Sequence, residues 1–299
     1  MTSQSLSDTS SRPRLPLSKR LPLHWLGLAP FAAFVILFLI MPTMYIVIGA
    51  FRSADGGFTL DNVIGLNTAS IRSAYWVSIK ISLASSSLGC LIGFCMAAAM
   101  TLGGLPKFVR GPLLTFSGVA SNFAGVPLAF AFLATLGPIG LVTVFLKTNF
   151  GLDLRLLGFN ILSFWGLTIT YLFFQIPLMI LIITPALDGL KREWREAAAI
   201  LGATGPQYWR MVAFPILFPS ILGTMALLFA NSFGAVATAI ALTGSSLNIV
   251  PILLFAQIRG DVLGDPYLGY ALAFGMIVVT GIANTIYIVL RARSERWQQ

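Results

Sequence analysis

Apolar residues in this chain run in long unbroken blocks, with little of the two-residue alternation of a strand. Six blocks are long enough to cross about 30 Å of hydrocarbon at about 1.5 Å per helical residue. They run from Leu26 to Ala50, Ala74 to Leu102, Pro112 to Leu136, Ile161 to Leu187, Ala213 to Leu242 and Leu268 to Leu290. The pattern predicts an all-α polytopic membrane protein with six transmembrane helices. One stretch between the fourth and fifth blocks behaves differently. Lys191 to Leu201 places Lys191, Arg192 and Arg195 on one side and Leu190, Trp194, Ala197, Ala198 and Leu201 on the other, the mark of a short amphipathic helix. Gly202 stops it. Thr204, with Gln207 three residues on and Pro206 between them, then fits a capping box. A second short helix is expected from near Gln207 to about Pro215.

Composition agrees with the block pattern. Of 299 residues, 57% are hydrophobic and 10% charged, too little polar surface for a soluble domain. The first block is too long for a signal-peptide core and is kept as a membrane helix. A tail over residues 1–25, a membrane domain over 26–291 with its loop at 188–212, and a second tail over 292–299 complete the expected organisation. The net charge of +9 does not point to nucleic acid, because the basic residues form no patch with interleaved aromatics. They follow the membrane instead. With the N-terminus inside, thirteen of the nineteen Lys and Arg residues fall on the inner side, while the acidic residues divide equally. That bias predicts cytoplasmic termini and a cytoplasmic 188–212 loop.

Within the blocks, Ser85, Gly89, Gly93 and Ala97 recur every fourth residue, a stripe that admits a neighbouring helix closely. Cys90 and Cys95 point about 140° apart on a helix, so no disulfide or metal pair is expected. Lys80 is placed to snorkel to the outer interface, and His24 with Trp25 to anchor the first span. Met41-Pro42-Thr43 predicts a kink near that span's end. Amide side chains inside the blocks are few. Asn122, Gln175 beside Ile176-Pro177, and Asn231-Ser232 are candidates for lining a path, or for satisfying neighbouring backbone. Residues 139–150 read as an amphipathic surface helix. The 248–258 segment is either a re-entrant gate or scaffold, and turns are expected at Gly260-Asp261 and Asp265-Pro266.

Glu196, Ala197, Ala198, Gly202, Pro215 and Pro219 resemble the EAA loop of membrane subunits of bacterial type I ABC importers, the MetI-like permease fold. The resemblance covers the chain from about residue 70 onward. It implies a non-enzymatic permease subunit of the inner membrane. A second identical or paralogous permease, two cytoplasmic ABC ATPase subunits and a periplasmic solute-binding protein would complete the assembly. By the same resemblance Glu196, Ala197, Ala198, Leu201, Gly202 and Ala203 belong to the ATPase-coupling helix and its turn. Leu201 stands where the family often has an acidic residue. The last two spans look most like polyamine permeases, of the spermidine and putrescine type, with ferric iron and aminophosphonate importers close by.

No phosphate-binding loop occurs, so ATP hydrolysis would belong to a partner. No acidic residue lies deep in a block, which weighs against a proton- or sodium-coupled secondary transporter, the alternative of another class. No cofactor or metal set is expected.

Overall fold

A computed structural model describes the backbone of residues 24–53, 55–103, 106–259 and 266–295. Side chains are described for the same residues except 24–26, 107, 258–259, 266 and 293–295. The turns expected at 260–265 and most of the N-terminal tail lie outside the described residues.

The described residues are almost wholly helical. They divide into two compact units, Met1–Ile48 and Gly49–Gln299. In the first, α1 (His24–Val35) passes through a π-helical turn, Ile36–Ile40, into α2 (Met41–Ala50), whose last two residues count with the second. The turn lies immediately before Pro42, where the kink is expected. The Met41 amide bonds to the Ile36 carbonyl, an i to i−5 link that ends where Pro42 can offer no N–H.

The second unit continues with α3 (Asp61–Ile64), α4 (Ala69–Leu102), α5 (Lys107–Asn122), α6 (Val126–Leu136), α7 (Leu141–Phe150) and α8 (Phe164–Asp188). After these come α9 (Arg192–Ile200), α10 (Gly205–Tyr208), α11 (Phe214–Phe233), α12 (Val236–Thr243), α13 (Val250–Arg259) and α14 (Pro266–Glu295). Among the described residues, six stretches are long and apolar enough to cross a membrane: Gly27–Ala50, Ala69–Leu102, Val126–Phe150, Phe164–Asp188, Gly205–Phe233 and Tyr267–Ala292.

The small-residue stripe of α4 forms the centre of the packing. Ser85, Gly89, Gly93 and Ala97 are all buried, and α4 makes its most extensive contact with α8. A Cβ at Gly93 would lie 2.6 Å from Met179 Cβ and 2.9 Å from the Ile176 carbonyl, and one at Gly89 would lie 2.8 Å from Gln175 Cβ. Only glycine allows that approach. Cys90 is buried and Cys95 exposed, as their separation on the helix requires. One apolar cluster centres on Met179, Ile183, Leu217 and Leu228, and another on Leu128, Leu167, Phe174 and Leu242.

Three predicted elements differ. The third block does not form one helix. α5 ends at Asn122 and α6 begins at Val126, and the long apolar stretch there runs on to Phe150 across a turn at residues 137–140. The fifth block breaks in the same way between α11 and α12. The short helix expected to stop near Pro215 instead runs on. α10 leads through a π-helical turn, Trp209–Ala213, into α11, and the Phe214 amide bonds to the Trp209 carbonyl just before Pro215. Both breaks escaped the sequence because apolarity continues across them.

The final helix reaches Glu295. Lys80 is exposed, with Nζ 4.9 Å from the centre of the Trp76 ring. α13 is fastened to α4. The Asn248 amide donates to the Ser70 carbonyl (3.0 Å), and Ser78 Oγ accepts from the Val250 amide (3.0 Å).

Candidate functional site

Two places carry residues that packing alone does not explain. The first is α9 and the turn after it. No residue of α9 is buried, so its nine residues are held by their ends. At the C-terminus the Gly202 amide bonds to the Ala199 carbonyl (3.0 Å) and the Ala203 amide to the Ala198 carbonyl (2.9 Å). Gly202 has φ +75°, so the pair of bonds is a Schellman motif with glycine at its left-handed position. The chain then restarts through the predicted capping box, where the Thr204 amide and hydroxyl both donate to Gln207 Oε1, at 2.7 and 3.0 Å.

The predicted coupling residues divide into two groups. Ala198 and Ala203 are half-buried, as is the neighbouring Trp194, and they are the two ends of the Schellman bond that spans more residues, while Gly202 between them is exposed. Glu196, Ala197 and Leu201 are exposed, with Glu193 and Ile200 beside them. Ile200 and Leu201 are each 86% exposed. Positions 193, 196, 197 and 200 follow the i, i+3, i+4, i+7 spacing of a single helix face. That face combines two carboxylates with alanine and isoleucine. Arg192 Nε donates to Glu196 Oε1 at 2.8 Å along the helix side.

The second place is where both interrupted helices stop. The gap between α5 and α6 lies beside the gap between α11 and α12, and together they line a recess of about 470 Å³. Ser121, Asn122, Gly125, Asn231, Gly234 and Thr238 are among its lining residues, none of which is charged. Asn122 Nδ2 donates to the Gly118 carbonyl at 2.9 Å, closing the end of its own helix. Gly125 has φ +78°, and its amide donates to Thr238 Oγ1 at 2.7 Å, joining one break to the other. The Tyr171 hydroxyl, on the buried side, donates to the Ala235 carbonyl at 3.0 Å. Non-helical backbone at membrane depth is tolerated where protein satisfies it or where it borders a polar cavity, and both conditions hold here.

Of the four predicted path residues, the structure brings Asn122 and Asn231 to this recess. It places the other two elsewhere. Gln175 is fully buried between helices, its Nε2 donating to the Leu228 carbonyl (3.0 Å), while its Oε1 has no partner among the described residues. Ser232 is also buried, with Oγ donating to the Phe229 carbonyl (3.1 Å). Sequence reasoning missed Thr238, Gly125 and Tyr171. The two breaks share an Asn-x-x-Gly spacing, Asn122-Phe123-Ala124-Gly125 and Asn231-Ser232-Phe233-Gly234, but that spacing does not by itself end a helix inside an apolar block.

Similarity to known proteins gives the family and the fold. The family described as "Binding-protein-dependent transport system inner membrane component" matches residues 89–298. A putative ferric transport system permease protein, FbpB 1 of Haemophilus influenzae, is 28% identical over 54% of this chain and 26% of its own length. The sulfate transport system permease protein CysT of Salmonella typhimurium is 26% identical, over 62% of this chain and 65% of its own. The match thus spans less than two thirds of either relative. PotC, a spermidine/putrescine transport system permease protein of Escherichia coli, is 23% identical over 74% of this chain and 78% of its own. In fold, the chain is similar to a crystal structure of a bacterial ABC transporter that imports alginate. The TM-score is 0.66 at 17% identity, covering 92% of this chain and 95% of that one. With six candidate spans and a family match over most of its length, the chain belongs to the binding-protein-dependent transport system inner membrane components.

Proposed function

We propose that this chain is the permease subunit of an ATP-driven importer, with the recess at the double helix break as part of the solute path and the exposed face of α9 as the dock for an ABC ATPase. The observation that carries the reading is α9 itself. It is a short helix with no buried residue, fixed at its C-terminal end and by the cap that follows, and it presents Glu193, Glu196, Ala197 and Ile200 to a partner. A helix of nine residues is marginal alone, so such a face gains its purpose from a partner's groove. A second permease subunit would close the other side of the recess, and a periplasmic binding protein would deliver the solute. The termini and α9 are cytoplasmic in this reading, on the distribution of Lys and Arg.

The solute in this reading is a polyamine of the spermidine or putrescine type, supported by the likeness to PotC. An oxyanion is the second reading, favoured by a probable sulfate permease of Nephroselmis olivacea, 26% identical over 84% of each chain. The uncharged recess suits a solute of either sign as a weakly binding passage, which leaves discrimination to the binding protein.

Co-purification with the cognate ABC ATPase tests the docking face. Ala197→Arg places an unpaired charge in the dry groove, a cost of several kcal/mol, on the order of 3. ATPase recovery should fall at least tenfold with membrane insertion unchanged. Wild-type recovery would remove α9 from the coupling role. A thermal shift of the binding protein with spermidine, and none with sulfate, is expected; the reverse would replace the first solute reading with the second.

A further inference from the structure

One ion pair at the α9 end of the helices is placed against local preference. Arg110 Nη2 donates to Asp188 Oδ2 at 2.5 Å. Arg110 closes the first turn of α5, and Asp188 is the last residue of α8. A cation at a helix N-terminus and an anion at a helix C-terminus are each on the wrong end of the backbone dipole. The pair is also partly exposed, at 30% and 45% of the two side chains. Exposed pairs contribute little net stability. Stability therefore does not account for it.

Its position in the chain does. From Asp188 the chain passes through a tight hydrogen-bonded turn, in which the Gly189 amide bonds to the Pro185 carbonyl and the Leu190 amide to the Leu187 carbonyl. It enters α9 at Arg192. From Arg110, α5, whose sixteen residues start at Lys107, continues for about 18 Å and ends at Asn122 on the recess. The pair thus joins the root of the docking helix to the near end of the helix whose far end forms one wall of the proposed path.

Resting on the reading of α9 and the recess given above, we propose that Arg110 and Asp188 are positioning residues that transmit movement of the docking helix to the recess through α5. Displacement of α9 by the ATPase shifts Asp188, the pair carries Arg110 with it, and α5 changes the opening at Asn122 and Gly125. Without the pair, α9 still docks, but the recess no longer follows the nucleotide state.

The test uses the complete transporter in liposomes, with Cys90 and Cys95 replaced by serine and a reporter cysteine at the exposed recess position, Ala237→Cys. The probe is a membrane-impermeant maleimide. With the pair intact, the labelling rate should differ at least about fivefold between nucleotide-free and ATP-plus-vanadate states, the lower range for coupled sites. Asp188→Asn should remove that difference at unchanged ATPase co-purification. Reversing both charges, Arg110→Asp with Asp188→Arg, should restore it, with no fall in thermal midpoint because each charge then sits at its favoured helix end. Persistence of the difference in Asp188→Asn, or failure of the reversed pair to restore it, overturns the linkage alone. Absence of any difference with the pair intact overturns the recess as a gated path, and the linkage with it.

Discussion

The turn at the end of α9 and the recess at the double helix break solve opposite problems with the same backbone chemistry. α9 is a helix with no buried residue, and its boundary is held locally by a Schellman motif on one side of Gly202 and a capping box on the other. The recess is an interruption surrounded by helices, and its backbone is satisfied from a distance. The Gly125 amide reaches Thr238 and the Ala235 carbonyl is reached by Tyr171, across 113 and 64 residues of sequence. The comparison teaches where each can change. A locally capped helix keeps its shape when its partner leaves. A break held by long-range bonds changes whenever the helices carrying those bonds move.

The strongest way to break the comparison is to remove the frame both regions share. Gly93→Leu inserts four carbons where a single Cβ already meets Met179 and the Ile176 backbone. Overpacking of this size costs roughly 3 kcal/mol or more. The expected outcome is a protein that fails to accumulate in the membrane, measured by fluorescence-detected size-exclusion chromatography of a tagged chain. Normal accumulation would show that α4 and α8 are not the rigid frame described above.

A smaller effect separates the regions. Thr238→Val preserves shape but leaves the Gly125 amide without its acceptor, at a cost of about 1–3 kcal/mol. The thermal midpoint should fall while ATPase recovery stays at the wild-type level, because α9 is held by its own bonds. A loss of ATPase recovery would show that the two regions are not independently held.

The smallest effect belongs to the loop. Gln207→Ala removes the acceptor for the Thr204 amide and should cost about 1 kcal/mol or less at this exposed cap. ATPase affinity should drop by a factor of a few, with labelling of a recess cysteine unchanged. A change at the recess larger than the change in affinity would reverse the order of local and long-range control.

The sequence determined what depends on neighbours along the chain. Block lengths and composition carried the membrane class and the six candidate spans, since crossing hydrocarbon is a property of one segment at a time. The Ser85 to Ala97 stripe carried the face on which α4 would be approached, and Thr204 with Gln207 carried the cap. Tertiary structure decided what depends on residues far apart. A run of apolar side chains does not record where its backbone stops being helical, so the breaks after Asn122 and Phe233 became visible only with Thr238 and Tyr171 in place to satisfy them. Polar residues in similar apolar surroundings parted in the same way. Asn122 and Asn231 reached the recess, whereas Gln175 and Ser232 turned into the seams between helices, because a side chain's direction is set by the rotation of its helix against its neighbours.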